Sequence, residues 1–284
     1  MNVLVAGCGY VGSALAAELA TGGHRVWGLR RDVRALPRGV IPLAADLASR
    51  ASLDVLSESI DHLVYAASPA DRTERAYEDA YLRGLENVLA ALESRGAPLS
   101  RVILTSSTAV YAEEGGGWVD ERSPAVPARA AGRILLEAEA MLRGRAFTGV
   151  ALRLSGIYGP GRTWLVRRVH EGAARVERPG EPPRYGNRIH RDDCAGALAH
   201  LLALPRIEAT YVGVDDAPAP LAEVYGFVAA LLGVPPPPEG ESDEGRGGNK
   251  RCSNRRLRES GYTLRVPSYR EGYPPIVRAY LEGR

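Results

Sequence analysis

The residues best suited to chemistry come early in the chain. Gly7-Cys8-Gly9-Tyr10-Val11-Gly12 has G-x-G-x-x-G spacing and stands between a short apolar run and a helical pattern. In that context Gly7 permits a tight turn, Gly9 lets the backbone approach a pyrophosphate, and Gly12 lets helix and strand pack closely. Amides at Tyr10 and Val11, at the start of the helix, then face the phosphates with the positive end of the helix dipole. The chemistry is binding of a dinucleotide; the alternative is a glycine turn with no ligand. Cys8, inside the loop, is either a small packed side chain or a redox-sensing thiol.

A second group selects the dinucleotide. Arg30-Arg31 ends the next apolar run, where an acid would hydrogen-bond ribose hydroxyls. A planar guanidinium suits a 2′-phosphate, which a carboxylate would repel. NADP is expected, with NAD the alternative because Asp32 follows directly; the competing reading leaves both arginines solvated. Asp46, next to Leu47, is placed to hold the adenine amino group, and Ala66-Ala67-Ser68 to line a ribose, unless both are ordinary strand-end packing.

Proton transfer needs hydroxyls or imidazoles. Ser107 and Tyr111 lie in Thr105-Ser106-Ser107-Thr108-Ala109-Val110-Tyr111, and Tyr158 lies in Ser155-Gly156-Ile157-Tyr158-Gly159-Pro160. A phenol whose pKa is lowered by nearby cations can protonate a substrate oxygen; packed tyrosines are the plainer reading of both. His190 precedes Asp192-Asp193, which suit a helix start better than a catalytic dyad. Glu113-Glu114 and Asp120-Glu121 read as solvated loop charges. Gly245-Arg246-Gly247-Gly248-Asn249-Lys250-Arg251 is basic and glycine-rich, either an exposed loop or a lid over an anionic group.

These residues need elements to position them. Asn2–Ala6, Arg25–Leu29, Val40–Leu43, His62–Ala67, Arg101–Ser106 and Val150–Leu154 are apolar runs that read as strands. Tyr10–Ala20, Asp54–Ser59, Glu74–Glu93 and Ala130–Leu142 read as helices. The alternation predicts an α/β fold, a doubly wound parallel sheet covered on both faces. After Ser155 the pattern thins. Arg191–Leu204, Leu221–Leu232 and Arg255–Ser260 are expected helices, Thr210–Val214 a strand, and Pro235–Gly248 a loop. Residues 1–154, completed by about 187–214, are expected to form the nucleotide-binding core. Residues 155–186 and 215–284 are expected to form a smaller lobe interleaved with it.

Taken in order, the glycine loop, Asp46-Leu47, Ala66-Ala67, Thr105–Tyr111, Leu152-Arg153 with Tyr158-Gly159-Pro160-Gly161, and Arg188-Ile189-His190-Arg191-Asp192-Asp193 resemble the NAD-dependent epimerase/dehydratase branch of the extended short-chain dehydrogenases/reductases. The resemblance covers most of residues 1–215. It implies a Rossmann-type sheet of about seven strands with a small C-terminal substrate lobe, a cofactor site that includes Thr105 and Ser106, nucleotide sugars or similar polar substrates, and a homodimer. It also implies a Ser, a Tyr and a Lys in catalysis. The serine maps onto Ser107. The Tyr-x-x-x-Lys positions map onto Arg129 and Arg133, so the chain resembles atypical members that lack the standard pair. Arg133 can still donate to ribose hydroxyls, but arginine stays protonated and is a poor proton shuttle.

The chain has 284 residues and a formal net charge of +2, too small to argue for nucleic acid or a membrane surface. No apolar run reaches the roughly 18 residues that a membrane span needs, and the start does not read as a signal peptide, so a cytoplasmic protein is expected. Cys8, Cys194 and Cys252 are far apart and show no metal-ligand spacing. Of 36 lysines and arginines only Lys250 is lysine. Two functions remain open: an NADP-dependent oxidoreductase or epimerase/dehydratase-like enzyme for a polar small molecule, with Ser107 and one of Tyr111 or Tyr158 polarising the substrate oxygen, or a non-catalytic NADP(H)-binding sensor.

Overall fold

Apolar runs flanked by glycine and polar turns pair into a sheet, and the helical patterns between them cover it. The computed structural model describes residues 1–57, 59–240 and 248–283. The first half contains β1 (Asn2–Ala6), α1 (Tyr10–Thr21), β2 (Arg25–Arg30), β3 (Ile41–Ala44), β4 (His62–Tyr65), α2 (Glu74–Glu78), α3 (Gly84–Ser94), β5 (Arg101–Ser107), β6 (Trp118–Val119) and α4 (Ala130–Met141). Next come β7 (Thr148–Leu154), β8 (Gly156–Tyr158), α5 (Trp164–His170), β9 (Tyr185–Gly186), β10 (Arg188–His190), α6 (Arg191–Ala203) and β11 (Thr210–Gly213). The chain closes with β12 (Ala219–Pro220), α7 (Leu221–Leu232), β13 (Arg251–Cys252), α8 (Arg255–Glu259) and α9 (Tyr269–Glu282).

Seven strands form the central sheet in the order β11-β7-β5-β4-β1-β2-β3. The pairs β1–β2, β1–β4, β2–β3 and β4–β5 run parallel. This is the expected Rossmann-type α/β fold. Strand order reverses on either side of β1, which sets a switch point at the carboxyl ends of β1 and β4, where such sheets bind ligands. Val3, Leu4, Val5 and Ala6 are fully buried, as a central strand covered on both faces must be. Leu85, Val88, Leu89 and Leu92 of α3 share a core with Leu4, Leu63 and Leu104 of the sheet.

Some local expectations need correction. The single helix expected over Glu74–Glu93 is α2 and α3 joined by one π turn, Asp79–Arg83. The Tyr65 phenol donates to the Ala80 carbonyl in that turn, and a Cβ on Gly84 would lie 2.4 Å from the phenol oxygen. The helix expected over Asp54–Ser59 is instead a 3-10 turn over Arg50–Val55; Glu58 lies outside the described residues. Helices α5 and α9 were not expected, and α9 carries Pro274 and Pro275 in its interior.

The chain divides into two units. The first comprises Met1–Val110, Ala125–Arg153 and Cys194–Tyr211, and the second Tyr111–Pro124, Leu154–Asp193 and Val212–Arg284. The second has its own core, in which Val166, Val169, Val224, Val228, Ile276 and Val277 of α5, α7 and α9 are buried together.

Candidate functional site

The glycine loop is built by contacts that leave no choice of residue at two of its glycines. Gly7 has φ +83°, and a Cβ there would lie 2.3 Å from the Ala67 amide nitrogen. A Cβ on Gly12 would lie 2.7 Å from the Gly7 carbonyl. Gly9 differs: a Cβ would meet only the Gly7 carbonyl oxygen, at 3.9 Å. That open approach, on an exposed residue at the head of α1, is what a pyrophosphate needs. No side chain caps α1 and no acid occupies its first turn, so the orphan amides there keep their positive end unneutralised. These residues fit a dinucleotide phosphate. The loop is tied to β2 by the Gly7 and Cys8 amides, both donating to the Leu29 carbonyl at 3.0 Å. Cys8 is packed inside, and burial pushes its thiol up from the ordinary value.

At the end of β2, Arg30 is half-buried and Arg31 exposed. Arg30 Nη1 donates to the Cys8 carbonyl at 3.3 Å, which folds it towards the glycine loop. Asp32 is committed elsewhere. Its carboxylate accepts from the Arg34 amide at 3.1 Å and from Arg34 Nε and Nη2 at 2.9 and 2.7 Å. The Arg34 side chain and amide hold that carboxyl down at about 2. Asp46 is exposed and accepts from the Ala48 amide at 3.0 Å. The Leu47 carbonyl accepts from Asn87 at 2.9 Å. Ala66 donates its amide to Ala6 at 2.8 Å, Ala67 backs Gly7, and Ser68 is exposed.

The hydroxyls of β5 divide by side. Thr105 donates to the Tyr65 carbonyl at 3.1 Å and Ser106 to Glu139 at 2.6 Å, both buried. Glu139 also receives Arg153 through Nε at 3.0 Å and Nη2 at 2.7 Å. Ser107 is half-buried, and its Oγ accepts from the Ala109 amide at 3.1 Å. Helix α4 starts beside this turn, since a Cβ on Gly132 would lie 2.8 Å from the Ala109 carbonyl. Arg129 caps α4 by position without a side-chain bond. Arg133 is exposed, and its Nη1 donates to the Ala128 carbonyl at 3.2 Å.

Tyr111 and Tyr158 belong to the second unit. Tyr111 is buried, and its carbonyl accepts from Lys250 Nζ at 2.9 Å. Tyr158 is also buried. Its hydroxyl donates to the Ser268 carbonyl at 3.2 Å, and its ring stacks on Tyr273 at 5.0 Å and meets His190 edge-on at 5.4 Å. Burial pushes the Tyr158 phenol up, with Asp215 and Tyr273 adding to the rise. That is the opposite of the lowering by cations that the sequence reading required. Burial also pushes His190 down. Asp193 lies in the first turn of α6 as a fully buried acid, accepting from Tyr262 Oη, the Arg265 amide and the Val266 amide at 2.9, 2.7 and 2.9 Å. Glu121 is not a solvated charge: its buried carboxylate accepts from the Val212 amide at 2.8 Å.

Part of the segment expected as a lid, Gly245–Gly247, lies outside the described residues. Its described half is anchored. Lys250 is 1% exposed, and the Arg251 guanidinium lies over the rings of Trp118 and Tyr185 at 5.2 and 4.8 Å.

A model of the NAD-dependent epimerase/dehydratase family matches residues 3–211. The chain belongs to that family. Among its relatives, this epimerase/dehydratase-family chain is 28% identical to protein YeeZ of Escherichia coli over 280 residues, covering 94% of the chain and 96% of YeeZ. It is 30% identical over 262 residues to a 3-diazoavenalumate denitrifying reductase of Streptomyces, covering 84% of the chain and 83% of the reductase. A solved structure from Methylobacillus flagellatus, assigned to the NAD-dependent epimerases/dehydratases, superposes with a TM-score of 0.81 at 36% identity, covering 99% of this chain and 98% of that one.

The sequence reading of this family member missed Glu139, and it read Lys250 as part of a loop or lid and missed its burial against Tyr111. Glu139 had a signal: Leu135 and Glu139 are one helical turn apart, so the acid falls on the buried face of α4. The contact of Lys250 had none, because nothing local ties it to Tyr111, 139 residues away. Among the described residues no group of three His, Cys, Asp or Glu could hold a metal ion, and no helix is long and apolar enough to cross a membrane.

Proposed function

We propose that this chain binds NADP(H) and acts as an oxidoreductase or epimerase/dehydratase-like enzyme on a polar small molecule, with nucleotide sugars the class to test first. The carrying observation is the open approach over Gly9, flanked by Arg30 while Asp32 is bound to Arg34. A guanidinium without a competing carboxylate favours a 2′-phosphate. Gly7, Gly9, Tyr10, Val11 and Gly12 hold the pyrophosphate, Arg30 and Arg31 the 2′-phosphate, Asp46 the adenine, and Ala66, Ala67 and Ser68 a ribose. When bound, the nicotinamide supplies or takes the hydride. The chain's own part is to orient the substrate and polarise its oxygen. Ser107 suits this, because its Oγ accepts from Ala109 and keeps its proton for donation. Tyr111 is the preferred phenol, since the Tyr158 proton is already given to Ser268.

Titration calorimetry tests the reading: NADPH binds at least tenfold more tightly than NADH, and failure of both to bind folded protein removes it.

One observation favours a second reading, a non-catalytic NADP(H)-binding sensor. The Tyr and Lys positions of α4 hold Arg129 and Arg133, and Arg133 donates to Ala128. Bound-NADPH fluorescence without turnover over a broad carbonyl panel favours the sensor. Turnover that falls in Tyr111→Phe but not in Tyr158→Phe favours the enzyme and names its proton donor.

A further inference from the structure

We propose that Lys250 is a positioning residue for Tyr111, set beside it from the far end of the chain as the chain's single lysine. This rests on the reading above in one respect only, that Tyr111 faces substrate.

Of the chain's 36 lysines and arginines this is the single lysine, and it is buried more deeply than the two buried arginines among the described residues: Lys250 is 1% exposed, against 5% for Arg188 and 6% for Arg153. Nζ lies against Gly248, where a Cβ would be 3.5 Å from it. A compact ammonium fits where a planar guanidinium is larger. The backbone on both sides of Lys250 is fixed. Asn249 accepts from the Gly116 amide at 2.9 Å and Arg251 donates to the Gly117 carbonyl at 2.8 Å. Asn187 donates to the Lys250 carbonyl at 2.9 Å and accepts from the Cys252 amide at 2.8 Å. The side chain is thus aimed by a built frame, and Nζ donates to the Tyr111 carbonyl at 2.9 Å.

Holding a carbonyl needs only a neutral donor. A buried charge costs far more than a buried amide, and burial pushes the Lys250 ammonium below the usual lysine range. Among the described residues, Cys252 on its own strand and Glu114 and Glu113 on the loop after Tyr111 act in the opposite direction. A fold that bears this cost sets a titratable amine 2.9 Å from the Tyr111 carbonyl, and a charge at that range can act on the titration of the same residue's phenol as well as hold its backbone.

The single lysine makes the test direct. Protein carrying 15N-lysine and 3-fluorotyrosine at position 111 gives one side-chain amine signal and one fluorine signal. Across a pH titration the two are expected to move through a common midpoint, below that of free lysine. Lys250→Gln keeps a neutral donor for the Tyr111 carbonyl, and in it the fluorine step at that midpoint is lost while NADPH affinity stays within twofold. A purely structural donor would leave the pH profile of the Gln variant unchanged, and that result overturns the proposal. So does a fluorine signal in the unmutated chain that ignores the amine's titration, a readout that needs no variant to fold. NADPH calorimetry on the same samples separates the two readings. No binding defeats the proposed function alone, and binding without a shared midpoint defeats the role of Lys250 alone.

Discussion

Glu139 shows how much one side chain decides in the first unit. Its carboxylate meets Arg153 through two hydrogen bonds and Ser106 through a third, all buried. Breaking one partner of such a pair leaves an uncompensated charge and costs about 3–5 kcal/mol, whereas replacing both by apolar groups of similar volume is often near neutral. Glu139→Gln is therefore expected to lower unfolding free energy in urea by that amount, and Glu139→Leu with Arg153→Met to lose less than either single change. A double variant that loses the sum would show that the pair acts as two separate contacts. Arg30 is the residue-scale test of cofactor choice. A hydrogen bond to a charged group contributes about 1.5–3 kcal/mol, so Arg30→Ala is expected to weaken NADPH roughly ten- to a hundredfold and leave NADH nearly unchanged. Equal losses for both would place Arg30 away from the 2′-phosphate.

At the scale of elements, what was legible in the sequence was local. The run Asn2–Ala6, the loop Gly7–Gly12 and the pattern Tyr10–Ala20 are contiguous, so strand, turn and helix could be read together. Helix α9 is hidden in the sequence because Pro274 and Pro275 each remove a backbone donor, and the cost is carried by packing of Tyr269, Tyr273, Ile276 and Val277 that no local window shows. The π turn Asp79–Arg83 was equally hidden, because the cause lies outside the helix. The Tyr65 hydroxyl from β4 occupies the space a Cβ at Gly84 would take and binds the Ala80 carbonyl. Gly84→Ala is expected to cost about 1–3 kcal/mol by overpacking, and Tyr65→Phe about 1–3 kcal/mol by leaving that carbonyl unpaired. Combined, they should cost less than the sum, because Tyr65→Phe removes the atom the new methyl would strike. Strict additivity in a denaturation cycle would mean that the phenol does not shape the turn.

For the whole molecule, the two units differ in what specifies them. The first is specified by hydrophobic period, which a single sequence displays. The second is tied by polar contacts between residues distant in the chain: Asp193 to Tyr262, Arg265 and Val266, Lys250 to Tyr111, and Glu121 to Val212. Such contacts have no period, which is why Glu121 read as solvated and Lys250 as part of a loop. They also leave a signature in pH. Asp215 is 2% exposed, its Oδ2 has no hydrogen-bond partner among the described residues, and burial pushes its carboxyl up to about 7 against the pull of Arg188. In the unfolded chain the same group loses its proton near the ordinary value of 3.8. Between those values the folded state holds the extra proton, so the Asp215 contribution to stability is fully present below about 4 and falls as pH rises to about 7. Asp215→Asn keeps a neutral side chain throughout. Its stability relative to the unmutated protein, from urea denaturation at a series of pH values, is expected to be flat below about pH 4, to rise by on the order of a few kcal/mol across the window, and to level off above it. Other titrating groups cancel in that difference as long as the two proteins share them. A difference that stays flat across that window and changes only below about pH 4 would mean that Arg188 holds Asp215 ionised in the fold, and the acid would then be an anchor of the second unit like Asp193.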